Sequence, residues 1–138
     1  MVKMTEQKKE ERTEIADIGE IGLIDRIREK FKPVNGSTIY GIGDDAAVFE
    51  KSDKLSLLST DMLLEGVHFD LSYMPLQHLG YKAVSVNVSD IAAMNGVPKA
   101  ITVSIGLSNR FSVEAVEEIY KGVKFACEDY KVDLVGGD

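Results

Sequence analysis

Aspartates stand beside small residues at several separate places in this 138-residue sequence. Asp44 and Asp45 follow Gly41-Ile42-Gly43 between two runs rich in β-branched residues. Asp61 follows Ser59-Thr60, Asp90 ends Asn87-Val88-Ser89-Asp90, and Asp138 follows Gly136-Gly137. Adjacent carboxylates repel, and a carboxylate in an apolar segment is costly unless paired. A hard divalent cation relieves both problems, because Mg²⁺ takes oxygen ligands from carboxylates, water and phosphates. Ser59 and Thr60 could add hydroxyl ligands or hydrogen bonds, and the glycines before Asp44 and Asp138 let backbone approach a ligand closely. Plainer readings stand beside this one. Gly43-Asp44-Asp45 makes a turn, Asp61 can bond at a strand end, and Gly136-Gly137-Asp138 is a loop signal. Asp90 can face solvent beside Asn87 or bond locally near a helix end. Spacing alone does not show that these sites converge, so a metal–phosphate site and separate structural roles both stay open.

Other reactive residues carry less. His68, in Glu65-Gly66-Val67-His68-Phe69, could contact a phosphate, but a lone histidine is as readily structural or exposed. His78 reads as surface, Cys127 as part of a buried helical stripe, and Tyr81 as packing. Gly41-Ile42-Gly43 lacks the rest of a dinucleotide fingerprint, and no Gly-Lys-Ser/Thr phosphate loop occurs.

The elements that must hold these residues follow from periodicity. Ile21, Ile24, Ile27 and Phe31 recur at helical spacing from Ile18 onward, until Pro33 and Asn35-Gly36 end the helix. Strands are predicted at Ser37–Ile42, Ala46–Phe49 and Leu55–Leu64. Pro75 opens a second helix running to about Met94, closed by Asn95-Gly96-Val97-Pro98. Ala100–Leu107 alternates as a strand, and Ser112 is a good N-cap for a third helix, in which Glu117 and Lys121 form an i,i+4 pair. Val132–Val135 is a last strand. This order, with hairpins early and crossovers late, is α+β.

Composition bounds the function. Sixteen Lys+Arg against 23 Asp+Glu give a formal charge of −7, which lies entirely beyond residue 14 because four basic and four acidic groups cancel before it. Such a surface repels nucleic-acid phosphates, so an anionic substrate would need metal ions to mediate its binding. At 44% hydrophobic the chain is too apolar for disorder, yet it lacks the run of about 20 apolar residues that a membrane span needs. Its single cysteine excludes an internal disulfide, and its start lacks a signal peptide's apolar core; a cytoplasmic protein is expected. Residues 1–17 are expected to be a flexible charged tail, and 18–138 one domain.

Taken in order, four segments resemble one family. They are Gly41-Ile42-Gly43-Asp44-Asp45-Ala46-Ala47, Ser59 through Phe69, Gly80 through Met94, and Gly136-Gly137-Asp138. Together they resemble the N-terminal half of the thiamine-monophosphate kinases, within the aminoimidazole-ribonucleotide-synthetase-like superfamily. Glu20-Ile21-Gly22-Leu23-Ile24 loosely matches that family's opening, and Thr60-Asp61 through Gly66-Val67-His68-Phe69 is its most specific block. The resemblance implies transfer of a phosphoryl group from ATP to thiamine monophosphate with Mg²⁺, directly and with no phosphoenzyme, so no covalent catalytic residue is implied. Asp45, Ser59, Thr60, Asp61, Asp90 and Asp138 match the family's magnesium-holding positions. Gly137 and Asp138 match its ATP-contacting turn, His68 matches a substrate-binding histidine, and Asp44 would support the turn beside Asp45. The implied fold is a mixed sheet packed by helices, forming an ATP- and Mg-binding domain whose strands pair with a twin in an intersubunit β-barrel. The family's second domain would follow, so these residues alone are expected to be inactive. The neighbouring readings are another member of the same superfamily and a non-catalytic dimerisation module. A receiver-type phosphoacceptor module fits less well, because Asp44-Asp45 leads into a strand instead of a helix and no lysine ends a later strand.

Overall fold

The computed structural model describes residues 14–138. Three helices, α1 (Ile15–Lys30), α2 (Leu76–Ala93) and α3 (Val113–Tyr130), combine with five strands: β1 (Thr38–Tyr40), β2 (Ala47–Lys51), β3 (Lys54–Leu58), β4 (Ala100–Val103) and β5 (Asp133–Gly137). The expected α+β order is the one observed. The expected single mixed sheet is not: β1-β2-β3 form an antiparallel sheet, and β4-β5 form a separate parallel pair.

The packing centre lies between α2 and α3. Val84, Val123 and Ala126 are fully buried there, with Tyr81, Val88, Ile101, Val103 and Cys127 packed against them. The two helices touch backbone to backbone. A Cβ on Gly80 would lie 1.9 Å from the Ile119 carbonyl oxygen, and one on Gly122 would lie 1.9 Å from that of Gln77. Polar bonds finish the contact: Gln77 Nε2 donates to Glu118 Oε2 at 2.6 Å and the Tyr81 hydroxyl donates to Asp129 at 3.0 Å. The tether from Gln77 holds Glu118 at the interface, so Lys121 pairs with Glu118 and not with Glu117, as helical spacing had suggested. Ser112 caps α3 as expected, accepting the Ala115 N–H at 3.3 Å.

The other layer is open. The hairpin between β2 and β3 turns at Ser52-Asp53, with Ser52 in the left-handed region (φ 55°). Ala46 and Val48 are buried, but Leu55 and Leu58 are each 64% exposed. Helix α1 starts at Ile15, inside the stretch expected as tail, and Gly19 (φ 65°, ψ −176°) breaks it; residues 1–13 lie outside the described residues. Its apolar stripe is real in sequence but faces outward, Ile21 being 77% exposed.

Three strands are shorter than expected, and β1 covers only Thr38–Tyr40 of the expected Ser37–Ile42. β3 stops at Leu58, not Leu64, because the next residues turn to bond α2 side chains instead of a neighbouring strand. β4 stops at Val103, not Leu107, although the Ile105 N–H still donates to the Asp138 carbonyl at 2.7 Å.

Candidate functional site

The connection from β3 to α2 carries the densest set of chemistry-bearing residues, and side chains of α2 tie it down. Ser59 Oγ donates to Asp90 Oδ2 at 2.7 Å, across 31 residues of sequence. Two residues on, the Asp61 N–H donates to Asn87 Oδ1 at 2.9 Å, while Asn87 Nδ2 donates to the Ala83 carbonyl at 3.0 Å. Further along, Lys82 Nζ donates to the His68 carbonyl oxygen. At roughly 100° per residue, Lys82, Asn87 and Asp90 fall within about 140° of the α2 circumference. One helix face therefore holds the segment twice near its start and again at His68.

The segment also closes on itself. The Leu64 carbonyl accepts from the Val67 and His68 N–H groups, Gly66 N–H donates to the Phe69 carbonyl at 2.7 Å, and the Leu64 N–H donates to His68 Nδ1 at 3.0 Å. Just after it, Asp70 accepts from the Ser72 N–H at 2.7 Å, and hydrogen bonds from the Ser72 side chain and backbone hold its carboxyl below the ordinary value. Asp61 Oδ1 meanwhile accepts the Met62 N–H at 2.9 Å.

The α2 end of the site is placed by packing. Asn95, at φ 56°, turns the chain out of the helix, and the Gly96 N–H donates to the Ile91 carbonyl at 2.8 Å. A Cβ on Gly96 would lie 2.4 Å from Leu57 Cδ1, so the Leu57 side chain of β3 rests on the turn that ends α2.

The remaining sequence candidates lie at two Gly-Asp steps, one between β1 and β2 and one at the end of β5. Gly43 (φ 131°) and Gly137 (φ 145°) adopt backbone conformations that other residues rarely reach, which is why glycine precedes both aspartates. At Asp138 the main chain is fixed: its N–H donates to the Val103 carbonyl at 3.1 Å and its carbonyl accepts from Ile105 at 2.7 Å. At Asp45 the bond is local, from its N–H to Asp44 Oδ1 at 3.0 Å.

The structure thus joins Ser59 to Asp90 directly and places Asp61 against Asn87, one turn before Asp90. Thr60 and His68 are exposed members of the same segment. Among the described residues, no three His, Cys, Asp or Glu side chains gather into a group able to hold a metal, so Asp45 and Asp138 are not brought into a carboxylate cluster with Asp61 and Asp90. The donors that do meet are all oxygen. Mg²⁺ is commonly held by one or two carboxylates plus water and phosphate oxygens, so this donor set fits it. A cleft of about 400 Å³ lined by Gln77, His78, Tyr81, Gly122 and Phe125 contains none of the expected site residues.

Two contributors escaped the sequence reading. Asn87 and Lys82 act through the backbone of a distant segment, and neither looks reactive alone. The available signal was placement: both are polar residues in a mostly apolar helix, on the same face as Asp90.

Comparison with known proteins identifies the family. Residues 43–138 match the family described as AIR synthase related protein, N-terminal domain. A thiamine-monophosphate kinase of Aquifex aeolicus is 47% identical over 124 residues, covering 90% of this chain and 38% of that protein. One of Bacillus subtilis is 39% identical over 105 residues, covering 75% of this chain and 32% of that protein. A solved structure described as AaThiL complexed with AMPPCP and TMP superposes with a TM-score of 0.79 at 44% identity, over 91% of this chain and 38% of that one. The chain therefore spans less than two-fifths of the length of these relatives. Among the described residues no helix is long and apolar enough to cross a membrane. With the family match covering most of its length and all of its tied segment, the chain belongs to the AIR synthase related family, as that family's N-terminal domain.

Proposed function

We propose that this domain belongs to an enzyme that transfers the γ-phosphoryl group of ATP to thiamine monophosphate, giving ADP and thiamine diphosphate. The observation that carries the reading is the 2.7 Å bond from Ser59 to Asp90, which sets a hydroxyl and a carboxylate side by side within the segment that resembles the kinases most specifically. The names of the relatives supply the reaction, and the AMPPCP and TMP bound to the solved neighbour supply the two substrate types.

Phosphoryl transfer asks a protein for position and charge neutralisation more than for covalent chemistry. On a chain of net charge −7, two anionic substrates cannot be held by carboxylates unaided. Asp45, Ser59, Thr60, Asp61, Asp90 and Asp138 are the residues that would hold Mg²⁺, which when bound neutralises phosphate charge. Gly137 and Asp138 would meet ATP, the main chain at Asp138 being already fixed against β4. His68 would contact the substrate, and Asp44 would shape the turn beside Asp45. Transfer is direct and in line, with no phosphorylated residue.

Two wider features belong to the same reading. The exposed apolar residues of the three-stranded sheet, among them Ile39, Leu55 and Leu58, suit cover by a second copy of the domain in an intersubunit barrel. The relatives extend far beyond the matched region, and the reading assigns turnover to a protein of that length and not to the 138 residues alone.

The test is to replace Asp61 or Asp90 by Asn in the full-length protein and follow thiamine diphosphate. Turnover should fall at least about a hundredfold, the scale of losing a key electrostatic group. Retained turnover contradicts the site, and turnover by the 138 residues alone contradicts their dependence on the rest.

A further inference from the structure

Lys82 lies on α2 outside every acidic cluster, and its ammonium reaches back 14 residues to the His68 carbonyl oxygen. That carbonyl belongs to the residue whose ring is itself engaged. His68 Nδ1 accepts the Leu64 N–H at 3.0 Å, and an imidazole nitrogen that accepts must carry no proton. The neutral ring's single proton is then on Nε2, as a donor. The backbone on either side is fixed too, with the His68 N–H on the Leu64 carbonyl at 2.8 Å and Gly66 bonded to Phe69.

We infer that Lys82 is a positioning residue: by holding the His68 carbonyl to α2 it keeps the ring on the Leu64 amide, and so presents Nε2–H as a fixed donor to a phosphate oxygen of the substrate. The bond from Lys82 is charge-assisted, the stronger class of hydrogen bond. It is also the last of the three ties from α2, since Ser59 and Asp61 are bonded near the start of the segment. Without it, the stretch carrying His68 keeps only its internal bonds. The substrate role of His68 in this inference rests on the kinase reading above; the tether does not.

Two measurements separate them. Amide hydrogen exchange at Leu64 in this chain reads the tether directly. Lys82→Met should speed that exchange about tenfold or more, the size expected from losing one charge-assisted bond, while amides in α3 stay unchanged. Lys82→Arg should restore most of the protection. In the full-length enzyme, Lys82→Met should raise KM for thiamine monophosphate about tenfold, with a smaller change in kcat and in KM for ATP. Leu64 exchange unaltered by Lys82→Met overturns the tether. Exchange that speeds up throughout α3 as well marks general destabilisation and overturns a local positioning role. Faster Leu64 exchange with unchanged KM leaves the tether standing and refutes the substrate contact at His68.

Discussion

Helix α2 and the segment it holds differ sharply from the Gly41–Asp45 turn, although both carry aspartates of the same kind. Asp90 stands on a helix whose backbone lies close against that of α3 at Gly80 and Gly122, and its carboxylate is bonded to Ser59. Asp61 is placed through Asn87 on the same helix. Asp44 and Asp45 lie in the connection between β1 and β2 of the open three-stranded layer and share a bond between immediate neighbours. Long-range bonds from a helix packed against α3 set one half of the candidate site, whereas local turn geometry sets the other. On the kinase reading proposed above, the first half would be formed before ligand arrives, and the second would be completed by the phosphates and cations it meets.

The contrast breaks most completely if α2 is pushed off α3. Gly80→Val puts side-chain atoms where the Ile119 carbonyl sits, and should cost on the order of 3 kcal/mol or more in denaturant unfolding. Gly36→Ala, where an added Cβ meets nothing within 4 Å, should stay within about 0.5 kcal/mol. A smaller loss is expected from Asn87→Ala, which removes both the acceptor for Asp61 and the donor to Ala83. It should cost about 1–3 kcal/mol and leave the Asp61 amide open to exchange. Asp45→Asn is the opposite case, since its removal takes away no distant bond. Stability should move by less than about 0.5 kcal/mol while Mg²⁺-dependent turnover of the full-length protein drops. Equal stability costs at Asn87 and Asp45 would erase the distinction between the two halves.

How far the sequence disclosed this arrangement depended on the range of the interactions. α3 was legible because its apolar stripe and its Ser112 cap are local signals. α2 was legible in the same way. The end of β3 was not, because Ser59 and Asp61 leave the strand to meet side chains about 30 residues away. For the same reason Asp90 had no evident partner, Asn87 was noted only as its neighbour, and Lys82 drew no notice. The stripe of α1 was read correctly as a helix, but periodicity cannot say what covers it, and Ile21 lies open. The separation into two sheets was equally hidden, since strand patterns carry no record of which edges pair. The site residues were named from their motif, which marks positions in the chain and not distances between them.

The most direct measurement is product formation by the full-length protein given ATP, thiamine monophosphate and Mg²⁺. Thiamine diphosphate and ADP should appear in equal amounts, and chelating the Mg²⁺ should stop the reaction. ATP consumption without thiamine diphosphate, or transfer that continues undiminished without a divalent cation, would contradict the account.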